Sequence, residues 1–147
     1  MSPASKRFPV IVVEDSDEDF DTVVRAVRKA SIEAEVQRAR TGGACLDLLR
    51  GSSAVCPALV LMDLNTPGTD GREALTAIKG DDALERFPVV VFSTSADPRD
   101  LAFCYAAGAN AYHVKPVRYP DHLQLVIDIF TYWLGRVVLP IAGGAES

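Results

Sequence analysis

The sequence predicts an α/β protein built on a parallel five-stranded sheet with helices packed against it. Short apolar runs alternate with segments of helical periodicity five times along the 147 residues, and this alternation is typical of βα units. The run Ala58–Met62 is apolar at every position, as expected of a strand buried on both faces. The length suits one domain with a sizeable core. One of the common strand orders for this layout is the flavodoxin-like order 2-1-3-4-5.

Apolar runs bounded by turn-forming residues give the strands. The second predicted strand alternates enough to lie nearer a sheet edge, whereas the third reads as central. The five predicted strands are Phe8–Val13, Glu33–Ala39, Ala58–Asp63, Val89–Phe92 and Ala111–Val114.

Capping residues and apolar spacing give the helices. Ser16 or Asp17 can cap a first helix whose acidic first turn suits the positive end of the helix dipole. Asp97-Pro98 predicts the start of the fourth helix, and Gly108 predicts a left-handed residue at its end. The remaining predicted helices span residues 41–50, about 71–79 and about 121–137.

Composition limits the possible functions. A net charge of −5 argues against a general binder of nucleic acid or membrane surfaces, since no basic excess exists to neutralise phosphates. No apolar run approaches the length of a membrane span, and the N-terminus has no signal-peptide pattern. Three cysteines without metal-ligand spacing suggest idle thiols in a reducing cytoplasm. We expect one cytoplasmic domain over residues 7–140, with flexible ends at 1–6 and 141–147.

Chemically active side chains follow four of the five predicted strands. In open α/β sheets the ligand crevice lies outside the carboxyl ends of the strands, so these groups should converge there. A lone acid after a strand more often caps a loop, but Asp63 is accompanied by other polar residues at the ends of neighbouring strands. The converging residues are Glu14, Asp15, Asp63, Ser93 and Lys115.

Three carboxylates in one crevice repel each other unless something neutralises them. Mg²⁺ suits such a site because it takes oxygen ligands and leaves room for water and phosphate oxygens. Asp63 is the best nucleophile candidate, since carboxylates form acyl phosphates. The metal and Lys115 would neutralise the phosphoryl oxygens, and the Ser93 hydroxyl would hydrogen-bond one of them.

These motifs resemble the receiver domains of two-component response regulators, the CheY-like family, from about Phe8 to Gly135. The motifs are the acidic pair Glu14-Asp15, the segment LMDLNTPGTDG, a hydroxyl, an aromatic and Lys115-Pro116, in order at the strand ends. The resemblance implies a phosphoryl group received from a histidine kinase with Mg²⁺ bound, and a Lys-Pro bond that is often cis. The implied roles are phosphoacceptor for Asp63, direct metal ligand for Asp15, water-mediated ligand for Glu14, backbone-carbonyl ligand for Asn65, switch pair for Ser93 and Tyr112, and phosphate partner for Lys115.

The chain departs from the commonest family pattern at two positions. Glu14 stands where Asp is usual and Ser93 where Thr is usual, and both substitutions keep the chemistry. The segments DGREAL, FPVVVFSTSAD and FTYWLGRVVLP look most like single-domain receivers that serve phytochrome-type histidine kinases. On that resemblance the protein is not an enzyme in the metabolic sense, beyond catalysing its own phosphorylation and at most slow self-dephosphorylation.

The last predicted helix carries more apolar surface than covering a sheet requires. Leu123, Val126, Ile127, Phe130, Leu134 and Val137 form one stripe, with Leu125, Ile129, Tyr132 and Trp133 beside it. A wide core face explains this pattern as well as a partner surface does. The family favours a homodimer through the fourth helix, fifth strand and fifth helix, extended by Arg136–Pro140. We expect output by protein–protein interaction, since the sequence leaves no room for an output domain.

Two other functions stay open on the sequence. A haloacid-dehalogenase-like phosphatase also uses a nucleophilic Asp, Mg²⁺ and a lysine, but it expects an acid where Asn65 stands. A receiver-shaped module that binds partners without phosphorylation is the other alternative, against which the complete set of Asp15, Asp63 and Lys115 speaks. Taken singly, Tyr112 would be a packing residue, Lys115 a solvated lysine and Asn65 a turn residue.

Overall fold

A computed structural model describes residues 8–51, 54–66 and 70–140. Both predicted flexible ends, and Pro67–Thr69 within the phosphoacceptor motif, lie outside the described residues. Strands and helices alternate along the rest of the chain. The elements are β1 Phe8–Val13, α1 Asp17–Ala30, β2 Ala34–Ala39, α2 Gly42–Arg50, β3 Leu59–Met62, α3 Gly71–Lys79, β4 Val89–Ser93, α4 Pro98–Ala107, β5 Ala111–Val114 and α5 Tyr119–Gly135.

The strands form one parallel sheet in the order β2-β1-β3-β4-β5, which confirms the predicted flavodoxin-like fold. The register keeps the carboxyl ends of the central strands level. Val13 of β1 pairs with Met62 of β3, and Met62 pairs with Val91 of β4. Residues that follow these strands therefore meet at one edge of the sheet.

The sheet separates two hydrophobic cores, and β3 contributes to both. Val60 and Met62 pack in the core that includes residues of α2, α3 and α4, while Leu59 and Leu61 pack in the core that includes residues of α1 and α5. All four side chains are buried. This two-sided burial is the physical reason for a strand without polar alternation.

The predicted caps are largely as the structure has them. The Ser16 hydroxyl accepts a hydrogen bond from the Asp19 backbone N–H, and the Asp97 carboxylate caps α4 in front of Pro98. Gly108 ends α4 with φ of 110°, a left-handed conformation that favours glycine. Asp70 begins α3 with a capping box that it shares with Glu73.

The last helix differs from its prediction in its bounds and in the face that it buries. The last helix runs Tyr119–Gly135 instead of about 121–137, with the proline of Tyr119-Pro120 in its first turn, where a missing N–H costs nothing. Ile129, which the sequence placed beside the apolar stripe of this helix, is buried in the core.

The Lys115–Pro116 peptide is trans, so the cis bond that the resemblance suggested does not occur here. In the described part of the chain, no helix has the length and hydropathy needed to cross a bilayer.

Candidate functional site

Backbone hydrogen bonds that continue past the strands fix the site residues at the carboxyl edge of the sheet. The Asp63 N–H donates to the Val13 carbonyl at 3.0 Å, and the Lys115 N–H donates to the Ser93 carbonyl at 2.8 Å. The Glu14 N–H likewise donates to the carbonyl of Ala39, the last residue of β2, at 3.0 Å. The side chains of Glu14, Asp63 and Lys115 consequently lie together and nearly buried.

Glu14, Asp15 and Asp63 form an acidic cluster. Each of the three places a carboxylate oxygen within 4.8 Å of the others. Asp15 is exposed, so the cluster faces solvent on one side. The neighbouring Asn65 N–H donates to Asp63 Oδ1 at 3.1 Å and holds that carboxylate against the loop. Three carboxylates supply the hard oxygen donors that a divalent cation such as Mg²⁺ or Mn²⁺ takes, so the residues present fit a metal ion.

Burial makes the Glu14 carboxyl group a weaker acid than usual. Desolvation raises the pKa of Glu14 to about 7, partly offset by the hydrogen bond and charge of Lys115 and reinforced by the charge of Asp63. The Ser16 N–H also donates to Glu14 Oε2 at 3.2 Å, and a nearby cation would further favour the charged carboxylate, so the acidic cluster should respond to metal.

The Lys115 ammonium contacts three carboxylates. Its Nζ lies 2.8 Å from Glu14 Oε1, 2.8 Å from Asp19 Oδ2 and 3.2 Å from Asp63 Oδ2. Burial by itself lowers the pKa of Lys115, but the hydrogen bonds to Asp19 and Glu14 and the charges of Glu14 and Asp63 outweigh it and raise the pKa above its usual value. The lysine is therefore a fixed positive charge beside Asp63.

Ser93 and Tyr112 lie at the adjoining strand ends. Ser93 is fully buried, and its hydroxyl oxygen accepts a hydrogen bond from the Ser95 N–H at 3.1 Å. The Tyr112 hydroxyl donates to the Ser95 carbonyl at 2.8 Å, so its ring is turned towards the β4–α4 loop. Burial raises the pKa of Tyr112, while hydrogen bonds to Ser95 and Ser93 oppose that change. Both residues that the resemblance pairs thus contact the same loop residue.

Asp19 is a site residue that the sequence analysis missed. Its carboxylate binds Lys115 as closely as Glu14 does, although it comes from the first turn of α1. From the sequence it was one of three first-turn acids that suit the helix dipole. The available signal was its place in the first turn of the helix that directly follows the acidic pair Glu14-Asp15.

His122 and the cysteines form no hydrogen bond or ion pair with the site residues among the contacts described above. His122 is buried and packs edge-on against Phe92, with ring centroids 5.1 Å apart, and burial lowers its pKa. Cys45 and Cys104 are buried and Cys56 is exposed, all as free thiols.

The family model and two of the sequence relatives of this chain indicate the same protein family. Residues 10–128 match the response regulator receiver domain family. The chain is 36% identical over 135 residues to the probable methanogenesis regulatory protein FilR2 of Methanothrix harundinacea, covering 90% of this chain and 87% of that protein. It is 35% identical over 137 residues to the response regulator Rcp1 of Synechocystis, covering 90% and 93%.

Solved structures agree with the sequence relatives. The phosphorylated cyanobacterial phytochrome response regulator RcpA superimposes with a TM-score of 0.87 at 35% identity, covering 92% of this chain and 99% of that one. The Mn²⁺-bound form of Rcp1 also gives a TM-score of 0.87 at 35% identity, covering 90% and 99%. These likenesses do not favour the haloacid-dehalogenase-like phosphatase.

The family match spans most of the chain, and its fold, strand order and acidic crevice agree with the architecture described above. Receiver domains are in general phosphoacceptors rather than metabolic enzymes, and they work in two-component signalling. The chain belongs to the response regulator receiver domain family and is homologous to the response regulator Rcp1 and to the phytochrome response regulator RcpA.

Proposed function

We propose that Asp63 is the phosphoacceptor of a two-component signalling protein and takes its phosphoryl group from a histidine kinase. The observation that carries this proposal is the position of the Asp63 carboxylate, 3.2 Å from a buried ammonium and inside an acidic cluster. An Asp63 oxygen attacks the phosphorus, and the bond from phosphorus to the imidazole nitrogen of the donor breaks. Lys115 then neutralises charge on the phosphoryl oxygens, and the Ser93 hydroxyl donates to one of them.

The metal of the proposed function is Mg²⁺. Asp15 and Asp63 would hold it directly, Glu14 through water, and Asn65 through its backbone carbonyl. Bound there, the ion would lower the charge repulsion between the acyl phosphate and the carboxylates. The all-oxygen donor set and the Mn²⁺ in the related structure support a divalent cation at this position.

The kinase of the proposed function is of the phytochrome type, since relatives of this chain are phytochrome response regulators. After phosphorylation, Ser93 and Tyr112 would shift and change a binding surface, so that output is by protein–protein interaction. The acyl phosphate would be lost at most slowly by self-dephosphorylation.

We also propose a homodimer through α4, β5 and α5, extended by Arg136–Pro140. This face exposes large apolar side chains from all three elements, among them Tyr105, Val114 and Tyr132. A shallow groove of about 450 Å³ lies between β5 and α5, lined mainly by apolar side chains that include Leu125 and Trp133. Exposed apolar surface of this kind is typical of a protein interface.

The test is intact mass after incubation with acetyl phosphate and Mg²⁺, with Asp63→Asn as the control. One phosphate adduct in the wild type and none in Asp63→Asn is the expected result. No adduct in the wild type would contradict the proposal and support a module that binds without phosphorylation. Steady phosphate release from a small phosphomonoester would instead support a phosphatase.

A further inference from the structure

Ser95, in the loop between β4 and α4, contacts both residues of the proposed switch. Its N–H donates to the Ser93 hydroxyl oxygen at 3.1 Å, and its carbonyl accepts from the Tyr112 hydroxyl at 2.8 Å. The backbone of this one residue thus holds both switch side chains, alongside the interaction of the Ser93 hydroxyl with Tyr112. A displacement of Ser95 would change the position of Ser93 and of Tyr112 together.

The Ser95 side chain is itself fixed by an ion pair between two helices. Its hydroxyl donates to Asp100 Oδ2 at 2.6 Å, a short bond typical of a hydroxyl on a charged carboxylate. The other Asp100 oxygen, Oδ1, accepts from Arg72 Nε at 3.1 Å and Nη2 at 2.9 Å. The hydrogen bonds from Ser95 and Arg72 hold the pKa of Asp100 below its usual value. Asp100 therefore stays charged and uses both oxygens.

Arg72 connects this ion pair to the loop that follows the phosphoacceptor. Its Nη1 lies 3.3 Å from Asp70 Oδ2, and Asp70 is the residue that caps α3. Arg72 lies in the first turn of α3 and Asp100 in the first turn of α4, so the contact joins the two helices at the edge of the sheet that carries the site. The side chains of Arg72 and Asp100 are only 30% and 21% exposed, so water screens the pair less than it screens a fully exposed one.

We propose that Arg72, Asp100 and Ser95, named here the Ser95 network, are positioning residues for the phosphoryl response. They hold the β4–α4 loop where the Ser95 backbone fixes the Ser93 hydroxyl and the Tyr112 ring. The inference rests on the proposed function, because the phosphoryl group on Asp63 is what the Ser93 hydroxyl would bind. Without the network the loop is freer, the hydroxyl is placed less well and Tyr112 loses its fixed acceptor.

The test compares variants of the network with a matched ion pair elsewhere. Arg72→Ala and Asp100→Ala each break the network, Ser95→Ala removes only the hydroxyl, and Ser95→Thr keeps a hydroxyl and serves as the rescue. Arg50→Ala is the control, since Arg50 also pairs with an aspartate from another segment, Asp81, at 3.7 Å and outside the site. The Ser95 pair of variants decides the question even if a larger change prevents folding.

The first measurement is the NMR signal of the Tyr112 ring without any phosphoryl group, assigned with Tyr112→Phe. We expect this signal to move in Arg72→Ala, Asp100→Ala and Ser95→Ala, and to stay at its wild-type position in Arg50→Ala and near it in Ser95→Thr. A Tyr112 signal unchanged in the three network variants would overturn the inference, whatever the protein does with phosphate.

The second measurement is the affinity for beryllofluoride, a phosphoryl analogue, in the presence of Mg²⁺. Loss of one fixed hydrogen bond predicts affinity about two- to tenfold weaker in Asp100→Ala and Ser95→Ala, with recovery in Ser95→Thr and no change in Arg50→Ala. Equal affinity in all variants would overturn the inference while leaving the phosphoacceptor intact. If the wild type binds no beryllofluoride, the proposed function fails, and the Tyr112 signal still decides whether the network holds the switch pair.

Discussion

At the scale of single residues, Lys115 balances the negative charge of the crevice. It is nearly buried and faces the carboxylates of Glu14, Asp19 and Asp63. Removing one partner of a buried ion pair is far more harmful than replacing the whole pair, because the remaining charge has no compensation.

We therefore expect Lys115→Met to lower the free energy of unfolding of the metal-free protein by about 3 kcal/mol, near the lower end for a broken buried pair because Asp19 keeps contact with water. Chemical denaturation with a chelator present measures it, and Lys29→Met, at an exposed lysine, is the control. Mg²⁺ should reduce the deficit, since the cation replaces the lost charge. A deficit unaffected by Mg²⁺ would contradict the assignment of the acidic cluster as a metal site.

The pKa of Glu14 predicts a pH dependence of stability in the metal-free protein. Burial raises that pKa from 4.5 to about 7, so between these values the folded state binds more protons than the unfolded state. The contribution of Glu14 is therefore favourable at low pH and is lost as pH rises from 4.5 to about 7. We expect Glu14→Gln to remove this part of the slope in denaturation curves measured across that window. An unchanged slope would show that Glu14 is not desolvated as described.

Residues of the site differ in how far the sequence revealed them. Asp63 and Lys115 follow strands directly, so strand prediction alone places them at the crevice. Asp19, Arg72 and Asp100 lie in first turns of helices, where acids and a basic residue have ordinary local explanations. Their roles depend on contacts between residues that lie 28 or more positions apart in the sequence, and no local pattern encodes such contacts.

At the scale of elements, the start of α3 determines how the phosphoacceptor loop is held. The Gly71 N–H donates to the Leu64 carbonyl at 3.0 Å, which closes the loop after Asp63. A Cβ at Gly71 would clash with the Asp63 carbonyl oxygen and lie 2.7 Å from Leu64 Cα. Both atoms belong to the backbone, so the clash is relieved only if the loop moves.

We expect Gly71→Ala to destabilise the protein by about 1–3 kcal/mol, the usual cost of overpacking, and to weaken beryllofluoride binding because the loop carries Asp63. The control is Gly135→Ala at the end of α5, where a Cβ would meet nothing within 4 Å. Helix propensity predicts that this control is neutral or stabilising. Wild-type stability and affinity in Gly71→Ala would show that the loop does not depend on this close approach.

Elements with a strong local signal were predicted well. β1, α3 and β5 have the predicted bounds, because a turn signal or a capping residue marks their ends. The last helix was shifted because its first turn begins with Tyr119-Pro120 and no side-chain hydrogen bond caps it in the structure. The inner face of α5 was misjudged at Ile129, since a helix that packs on both α1 and the sheet buries a wider arc than one stripe.

At the scale of the whole molecule, the sheet order and the two cores follow from five βα units. The binding partners of the outer surfaces do not follow from them. The α4–β5–α5 face exposes apolar side chains whose partner no pattern in a single chain identifies. The dimer is therefore a proposal about assembly rather than a consequence of the fold.

We expect Tyr132→Ser to reduce self-association of the phosphorylated protein, because this side chain is 57% exposed and lines the groove beside α5. Light scattering on a sizing column measures the mass of the assembly. Val117→Ser is the matched control, since Val117 is fully exposed but lies outside the proposed interface. Equal loss of association in both variants, or none in Tyr132→Ser, would contradict the proposed face.

The residue that carries the phosphoryl group can be located chemically. Borohydride reduces an aspartyl phosphate to homoserine, so peptide mass spectrometry after acetyl phosphate, Mg²⁺ and borohydride identifies the residue that was modified. We expect homoserine at position 63 in the wild type, and none in Asp63→Asn. Reduction at Asp15 or Asp19 instead, or at no residue, would contradict the assignment of Asp63 as the phosphoacceptor.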